Sequence, residues 1–402
     1  MPRARANPRS AVDESRVLKA GQDPFTAESI KHLADRFGSP LFVIDAARIR
    51  RQYRALAAAL PGVDLHYALK PLPFAAVITT LQREGAFFDL ATNGEVDLVR
   101  RLEIPPERCI HTHPIKRDRD IRTALAYGVS RFVVDNPDEL RKFVKFRNRS
   151  SLLIRVSFSS PDARTDLSRK FGCEPDAVPD LLRLAADLRL QIDGFSFHVG
   201  SQASSPATFA QAVSRCHGLM EAASQMGHSP AILDIGGGFP VDYLQPSMPI
   251  EDFCAPIRAA LHRLPASVRV IAEPGRYIAA PAAICIASVM GRALRGGRWW
   301  YYIDDGLYGT YSGQVFDHAK YPVEALVADG TRYPSVLAGP TCDSIDVVDE
   351  ALELPKLDIG DLVVGRSMGA YTWASASEFN FFPRATVLAL DDGCLLTDSG
   401  AP

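Results

Sequence analysis

His66-Tyr67-Ala68-Leu69-Lys70-Pro71 has the apolar pattern of a buried strand, and it ends in a lysine that a proline follows directly. A charged amine at the end of a buried strand is costly unless it is paired or neutralised. A desolvated lysine with a lowered pKa is a common Schiff-base nucleophile. The alternative is a lysine that has emerged into a surface loop, and this stretch alone favours that alternative because buried charges are rare.

Short apolar runs like this one recur at even spacing and alternate with helical patterns. The predicted strands lie at 64–69, 86–91, 108–112, 131–135, 151–158, 190–199, 231–236 and 268–273. The predicted helices between them lie at 73–84, 93–103, 117–127, 136–146, 176–188, 205–226 and 249–264. Strands that alternate with helices form a parallel sheet, and eight such units match a closed (β/α)8 barrel in number and size. A doubly wound open sheet is the alternative, although its strands rarely number eight at such even spacing.

The pattern changes after Ala280, where glycine, proline and aspartate punctuate short apolar runs. These runs lie at 283–289, 299–303, 323–326, 335–337, 361–364, 385–390 and 394–397. They predict a β-sandwich or β-barrel domain. We therefore expect a flexible polar arm at 1–27, a barrel at 28–280 and a β domain at 281–402. The strand predicted at 41–45 could belong to either domain.

The composition favours a small-molecule substrate. A length of 402 residues exceeds one ordinary core, so two domains are expected. The net charge of −2 provides no field for nucleic acid or anionic lipid. The seven cysteines are scattered, without a CxxC pair or zinc spacing. Because the chain also has no run of about 18 apolar residues and no apolar run after its basic start, we expect a cytoplasmic protein without a metal site or membrane span.

Chemically capable side chains concentrate where the predicted strands end. In a (β/α)8 barrel the active site lies at the carboxyl ends of the strands. In strand order, the residues at or near these ends are Lys70, Asp89 with Glu95 on the next helix, His111 to His113, Asp135, Arg155, His198 with Ser201, Gly236 to Gly238, and Glu273 with Arg276. The strand interiors are mostly apolar. This arrangement favours a functional lysine over a surface one.

Two neighbouring strand ends predict a phosphate site. Gly236-Gly237-Gly238 offers backbone N–H groups that an anion can approach closely, and Arg276 adds a bidentate cation. The Pro274-Gly275 turn can direct Glu273 away from Arg276 and towards a ligand. A Schiff-base lysine, a phosphate cradle and a carboxylate for an aromatic nitrogen together predict pyridoxal 5′-phosphate (PLP). A phosphosugar aldolase could share the lysine and the cradle, but it would need neither the carboxylate nor a second domain.

The order of these motifs resembles the fold-type III PLP-dependent amino-acid decarboxylases over roughly residues 30–390. The matching motifs are Tyr67–Lys70, Phe88–Ala91, Gly94-Glu95, Phe197–Ser201, Asp234–Pro240, Glu273–Tyr277, Asp305–Gly309, Phe316–His318, Gly339–Asp343 and Gly369–Thr372. The later motifs resemble the ornithine/lysine decarboxylase branch more than the diaminopimelate branch, where Cys-Glu-Ser is expected after the glycine-proline turn. The resemblance implies an alanine racemase-like fold with a TIM-type barrel and a C-terminal β domain.

The resemblance also implies a role for each matching residue. Lys70 would hold PLP as a Schiff base, His198 would stack on its ring and Glu273 would pair with the ring nitrogen. The phosphate would be held by Ser201, Gly237, Gly238, Arg276 and Tyr371, and the cofactor would be supported by Asp89, Glu95 and Arg155. Cys342 would protonate the substrate carbon after CO2 leaves, and the substrate would be bound by Asp317, Asp343, Tyr308 and Phe379. The family forms obligate homodimers in which Cys342 and Asp343 would reach into the partner's site.

Three segments depart from the family pattern, namely Pro71-Leu72-Pro73, Ser312-Gly313-Gln314 and Trp373. None removes a catalytic group, but they leave the length of the substrate open. The sequence therefore predicts α-decarboxylation of ornithine, or of lysine, to a diamine, as in polyamine biosynthesis. One alternative is a decarboxylase of a modified or carrier-linked amino acid in secondary metabolism, such as siderophore formation. Others are a regulatory homologue that binds no PLP, and a racemase, which would carry a tyrosine where Cys342 stands.

Overall fold

Eight parallel strands form a closed barrel in the computed structural model, which describes residues 15–158, 163–165, 169–327 and 330–396. The strands are Val63–Ala68, Phe87–Leu90, Cys109–His111, Arg131–Val134, Ser151–Val156, Ile192–Phe197, Ile232–Asp234 and Arg269–Ala272. The barrel closes where Arg269–Ala272 pairs in parallel with Val63–Ala68. This confirms the (β/α)8 barrel, including the position of every predicted strand.

Helices accompany these strands, and some of their ends have a clear local cause. They are Ala46–Ala59, Ala75–Arg83, Asn93–Arg101, Asp118–Tyr127, Pro137–Phe143, Val178–Asp187, Ala207–Gln225 and Ile250–Leu261. Thr92 and Glu95 form a capping box at the start of one helix, and the Asn136 side chain caps the start of another. Gly128 ends the helix before the fourth strand with φ of +112°, a conformation that favours glycine.

The interior of the barrel is filled by an apolar cluster. It consists of Ile110, Val133, Leu153, Ile232 and Ile271, all buried. Because side chains alternate along a strand, the residues between these positions point outwards and pack under the helices. Because this cluster fills the centre of the barrel, a ligand site is expected at an end of the barrel and not inside it.

Ala163–Thr165 and Ser201–Ala203 pair as a small two-stranded sheet, and nine further strands form one branched sheet. They are Leu41–Asp45, Ala283–Arg295, Arg298–Ile303, Val323–Ala325, Arg332–Ala338, Val347–Pro355, Leu362–Gly365, Thr386–Asp391 and Cys394–Leu395. Leu41–Asp45 lies between 283–286 and 386–390, so the barrel sequence is inserted between two strands of this sheet. The sequence did not predict Val347–Pro355, because this strand carries Asp349, Glu350 and Glu353 at the edge of the sheet.

The segment before this sheet packs against it and is not a polar arm as far as residue 27. Val17, Leu18 and Phe25 are buried, and they join the helix Ala27–Phe37 in an apolar cluster with Leu41–Asp45. The prediction of a flexible arm overlooked these three apolar residues because polar residues surround them in the sequence. Residues 1–14 lie outside the described residues. Among the residues that the structure describes, no helix combines the length and apolar character needed to cross a membrane.

One loop of the sheet domain is fixed against the mouth of the barrel. The backbone N–H of Gly369 donates to the Ala280 carbonyl (3.0 Å), and that of Tyr371 donates to the Pro71 carbonyl (3.2 Å). A Cβ atom at residue 369 would overlap the carbonyl oxygen of Ala279, so the close approach requires glycine. These contacts place Tyr371 beside the loop that carries Lys70.

Candidate active site

A small cavity opens at the carboxyl ends of the barrel strands. It brings together most of the residues predicted to hold PLP, namely Lys70, His198, Ser201, Gly237, Gly238, Glu273, Arg276 and Tyr371. Asp89, Glu95 and Arg155 do not line the cavity, but their charges interact electrostatically with Lys70. In the described parts of the chain, no group of three His, Cys, Asp or Glu side chains is placed to hold a metal ion.

Lys70 lines the cavity, and its side chain keeps accessible surface there. Burial is the largest single influence on its pKa and acts to lower it. The phenol of Tyr371 and the carboxyl groups of Asp89 and Glu273 outweigh burial, so the pKa of Lys70 is raised. The expectation of a lowered lysine pKa is therefore wrong for the protein without its cofactor, because these acidic neighbours favour the ammonium form.

Asp89 and Glu95, two carboxyl groups near Lys70, both have raised pKa values. Burial and, after it, the nearby Glu273 together raise the pKa of Asp89 to about 7, although the Thr112 hydroxyl that donates to Asp89 Oδ1 acts to lower it. Burial also raises the pKa of Glu95 to about 7. Glu95 Oε2 accepts the backbone N–H groups of Ala91 and Thr92, so this carboxyl group fixes the helix that follows the second strand.

Glu273 shares its surroundings with a second carboxyl group that the sequence did not single out, Asp234. Burial and the neighbouring Asp234 raise the pKa of Glu273 well above its ordinary value, whereas the pKa of Asp234 is raised by burial to about 6. Asp234 Oδ1 accepts the N–H of Gly236 (2.9 Å), while its buried Oδ2 has no donor among the described residues unless Glu273 carries a proton. The pair therefore retains a proton on Glu273 at the cavity wall. A carboxylate inside the apolar run 232–235 was the signal available in the sequence.

The His198 ring is neutral and has a defined tautomer. Burial, followed by the charges of Arg155 and Lys70, lowers the pKa of His198 well below its ordinary value. The backbone N–H of Gly200 donates to Nδ1 (3.0 Å), so the ring proton lies on Nε2. A neutral aromatic ring in this position is suited to stacking and not to carrying charge.

The three glycines form a cradle that side chains would fill. A Cβ atom at Gly237 would lie 2.6 Å from the Glu273 carbonyl oxygen and 3.3 Å from His198 Nε2. Gly238 has φ of +111°, and a Cβ there would overlap the Gly200 carbonyl oxygen. The sequence predicted bare backbone at this position, and the structure gives the steric reason for it.

Arg276 is the centre of a dense polar network. Its Nε and Nη2 donate to Ser201 Oγ (3.1 and 2.9 Å), and its Nη1 donates to the Tyr243 hydroxyl (2.9 Å). Its Nη2 also donates to Asp317 Oδ1 (2.7 Å), and the Tyr371 ring lies 4.9 Å from the guanidinium carbon. Asp317, predicted as a substrate ligand, thus contacts the residue predicted to hold the phosphate. Sequence reasoning assigned no role to Tyr243.

The other predicted substrate and catalytic residues form a second group on the sheet domain. Tyr308 donates to Asp343 Oδ2 (2.5 Å) and stacks on Phe379 with ring centroids 4.2 Å apart. Cys342 is exposed, and its thiol donates to Asn380 Oδ1 (3.2 Å). None of these residues lines the Lys70 cavity of the same chain.

The segments that depart from the family pattern have structural roles. Trp373 is buried, donates from Nε1 to the Ala385 carbonyl (2.9 Å) and packs against Phe74, so it does not shape the Lys70 cavity. The Ser312 hydroxyl donates to the Thr372 carbonyl (2.8 Å). Pro71 lies against the turn before Arg276, where a Cβ at residue 275 would approach its ring to 2.7 Å.

Comparison with known protein families assigns the class of this barrel. A family model described as pyridoxal-dependent decarboxylase, pyridoxal binding domain, matches residues 46–280. The chain therefore belongs to the pyridoxal-dependent decarboxylases, the fold-type III family that the motifs predicted, and pyridoxal phosphate is its cofactor.

Within that family, the chain is similar to enzymes of the ornithine and lysine branch. It is 35% identical over 366 residues to the lysine/ornithine decarboxylase of Selenomonas ruminantium, covering 91% of this chain and 93% of the relative. Solved structures of a lysine/ornithine decarboxylase from Vibrio vulnificus, complexed with putrescine or cadaverine, are 52% identical, with TM-scores of 0.87 and 0.88. These structures cover 91% and 92% of this chain, and 99% and 98% of their own chains are matched. The recognised branch is confirmed.

The cavity fits pyridoxal phosphate on its own geometry. The side-chain-free cradle at Gly237 and Gly238 leaves room for an anion beside a guanidinium, and Lys70 faces the same cavity. Glu273 provides a carboxyl group that holds a proton, which suits a ring nitrogen. The individual roles of these residues remain predictions.

Proposed function

We propose that the protein removes the α-carboxyl group of a free diamino acid, ornithine or lysine, to give CO2 and a diamine. The observation that carries this substrate class is Asp317, a largely buried carboxylate that pairs with the cavity residue Arg276 and whose Oδ2, 2.7 Å from Arg276 Nη2, accepts no hydrogen bond among the described residues. Such an acceptor is costly unless a donor meets it, and a distal ammonium is the matching group. The names of the relatives support the same substrates. They do not favour the modified or carrier-linked amino acid that the sequence left open.

Different residues of this chain would have different roles in the reaction. The chemistry that pyridoxal phosphate would supply when bound is an electron sink for the substrate carbon that loses CO2. Lys70 provides the amine that binds the cofactor, and His198 presents a flat neutral ring to it. Glu273 would provide the carboxyl group that pairs with the ring nitrogen, and Asp234 beside it raises the pKa of Glu273. Cys342 would transfer its thiol proton to Cα, so that a C–H bond replaces the bond to the lost carboxyl group, and the thiolate would regain a proton from solvent before the next turnover.

We also propose that the working enzyme is a homodimer with shared sites. Cys342 and Asp343 lie on the sheet domain, outside the Lys70 cavity, so a partner subunit is needed to bring a proton donor to Cα. A mixture of Lys70→Ala and Cys342→Ala proteins tests this. Random exchange of subunits should restore about a quarter of the wild-type activity, since half of the dimers then hold one intact site. Mixtures that remain inactive after subunit exchange would refute shared sites.

The substrate is tested by measuring CO2 and amine release by mass spectrometry. Ornithine or lysine should be turned over, while norvaline, which lacks the distal ammonium, should react about 10⁴-fold more slowly. Comparable release from norvaline would refute the proposed substrate class. Cys342→Ala should lose normal diamine formation while it still binds the cofactor, and Cys394→Ala, a partly exposed cysteine of the same domain, is the matched control.

A further inference from the structure

Arg276 connects the two halves of the proposed site through a single guanidinium. Every donor nitrogen of this group is already engaged, by Ser201, Tyr243 or Asp317. Side-chain exposure is 5% for Arg276 and 14% for Asp317, so the ion pair is well shielded from water. A phosphate that binds in the Gly237–Gly238 cradle must therefore share this guanidinium with Asp317.

Asp317 is placed to change partners. It follows the short helix Gly313–Phe316, and its backbone N–H is fixed by the Gly313 carbonyl (3.0 Å). Both carboxylate oxygens lie 2.7 Å from Arg276 Nη2, but only Oδ1 has the direction of a hydrogen bond. Oδ2 is buried and accepts nothing from the described residues. Both carboxylate oxygens thus lie within ion-pair distance of the guanidinium, and Oδ2 keeps the capacity to accept a hydrogen bond from a second cation.

We propose that Asp317 couples cofactor binding to substrate binding, because it neutralises Arg276 before the cofactor phosphate binds and accepts the substrate's distal ammonium once that phosphate contacts Arg276. The ammonium part of this proposal rests on the proposed function. The competition between Asp317 and phosphate for Arg276 does not.

The charges give the sign of the coupling. A phosphate dianion and a carboxylate on one shielded guanidinium repel each other, so Asp317 weakens phosphate binding while its own charge is unmatched. A diammonium ligand at Asp317 removes that repulsion and should strengthen phosphate binding. By linkage, the phosphate must strengthen diamine binding by the same factor.

The test uses the full chain freed of cofactor and a probe that cannot react with amines. Calorimetric titration with 4-deoxypyridoxine 5′-phosphate, which lacks the aldehyde, measures phosphate-dependent binding alone. We expect Asp317→Asn to bind this probe at least about fivefold more tightly than the wild type. Saturating putrescine should strengthen binding to the wild type by a similar factor and should not change binding to Asp317→Asn.

Two controls isolate the phosphate and the ion pair. 4-Deoxypyridoxine, which is the same probe without its phosphate, should bind the wild type and Asp317→Asn with equal affinity. Glu324→Gln removes another arginine–carboxylate pair of the sheet domain, with Arg366, and should leave probe affinity unchanged. A folded Asp317→Asn protein, judged by its unfolding temperature, with unchanged or weaker probe affinity would overturn the coupling. If putrescine has no effect on the wild type but Asp317→Asn still binds the probe more tightly, the proposed substrate is wrong and the competition for Arg276 stands.

Discussion

Replacement of Asp89 by asparagine should stabilise the protein freed of cofactor, and the gain should grow with pH. Asp89 is 3% exposed, and burial raises its pKa from 3.8 to about 7. The native state therefore retains a proton that the unfolded chain releases, so stability is lost as pH rises from about 4 to about 7. Asparagine removes this ionisation and keeps an oxygen that can accept the Thr112 hydroxyl.

The magnitude follows from the separation of the two pKa values. A shift from 3.8 to about 7 corresponds to a cost of about 4 kcal/mol at pH 8, where Asp89 is ionised in both states. At pH 5 the native carboxyl group is still protonated, and the cost is about 2 kcal/mol. The difference between the two pH values, about 2–3 kcal/mol, isolates the ionisation, because any packing cost of asparagine is the same at both.

The assay is urea unfolding of the full chain without cofactor at pH 5 and pH 8, followed by fluorescence of its three tryptophans. The matched control is Asp97→Asn, because Asp97 is an exposed carboxylate that pairs with Arg100 on a helix surface. It should change the free energy of unfolding by less than about 0.5 kcal/mol at either pH. If Asp89→Asn changes this free energy equally at pH 5 and pH 8, Asp89 is not held neutral by burial and the electrostatic description of the site is wrong.

Three further substitutions test other parts of the site. Gly238→Ala should weaken cofactor binding at least about tenfold, because φ of +111° and the overlap with a backbone oxygen exclude a Cβ; Gly218→Ala, on an open helix surface, should leave binding unchanged. Tyr308→Phe removes the donor to Asp343 and should raise KM for the diamino acid by about threefold or more with little change in kcat, and an unaltered KM would contradict a role in substrate binding. Trp373→Phe should lower the free energy of unfolding by about 1–3 kcal/mol through a lost hydrogen bond and cavity formation, while the ornithine-to-lysine preference, measured as the ratio of kcat/KM values, should not change.

The barrel could be predicted from the sequence because its apolar runs coincide with its buried strands. Each of the eight strands is a short apolar run bounded by a helix pattern, and all eight pair as expected. The sheet domain was harder to predict because burial is uneven along its strands. The strand Ala283–Arg295 is buried at its start and exposed at its end, so only its first half has the expected apolar pattern. Val347–Pro355 lies at an edge, where its three acidic residues interrupt the apolar pattern that would predict a strand.

The candidate site could be predicted wherever a chemical group follows a strand end. Lys70, His198, Glu273 and Arg276 share one cavity because parallel strands finish at one rim. Contacts between distant segments could not be predicted in this way. Tyr243 reaches Arg276 from a loop, and no local pattern distinguishes that tyrosine from any other. Whether the pKa of Lys70 is raised or lowered also depends on how many acidic groups surround the amine, and the spacing of residues in the sequence does not reveal that number.

The position of Leu41–Asp45 within the sheet has a consequence for synthesis of the chain. All five residues are buried, and their partners are 283–286 and 386–390. At about 5–20 residues per second, the ribosome needs roughly 10–50 s to make the first partner and longer to make the second. During that time an apolar strand with two unpaired edges has left the ribosome, so the nascent chain is most prone to aggregate before its last strands are made. Chains that terminate before about residue 390 keep one of these edges open.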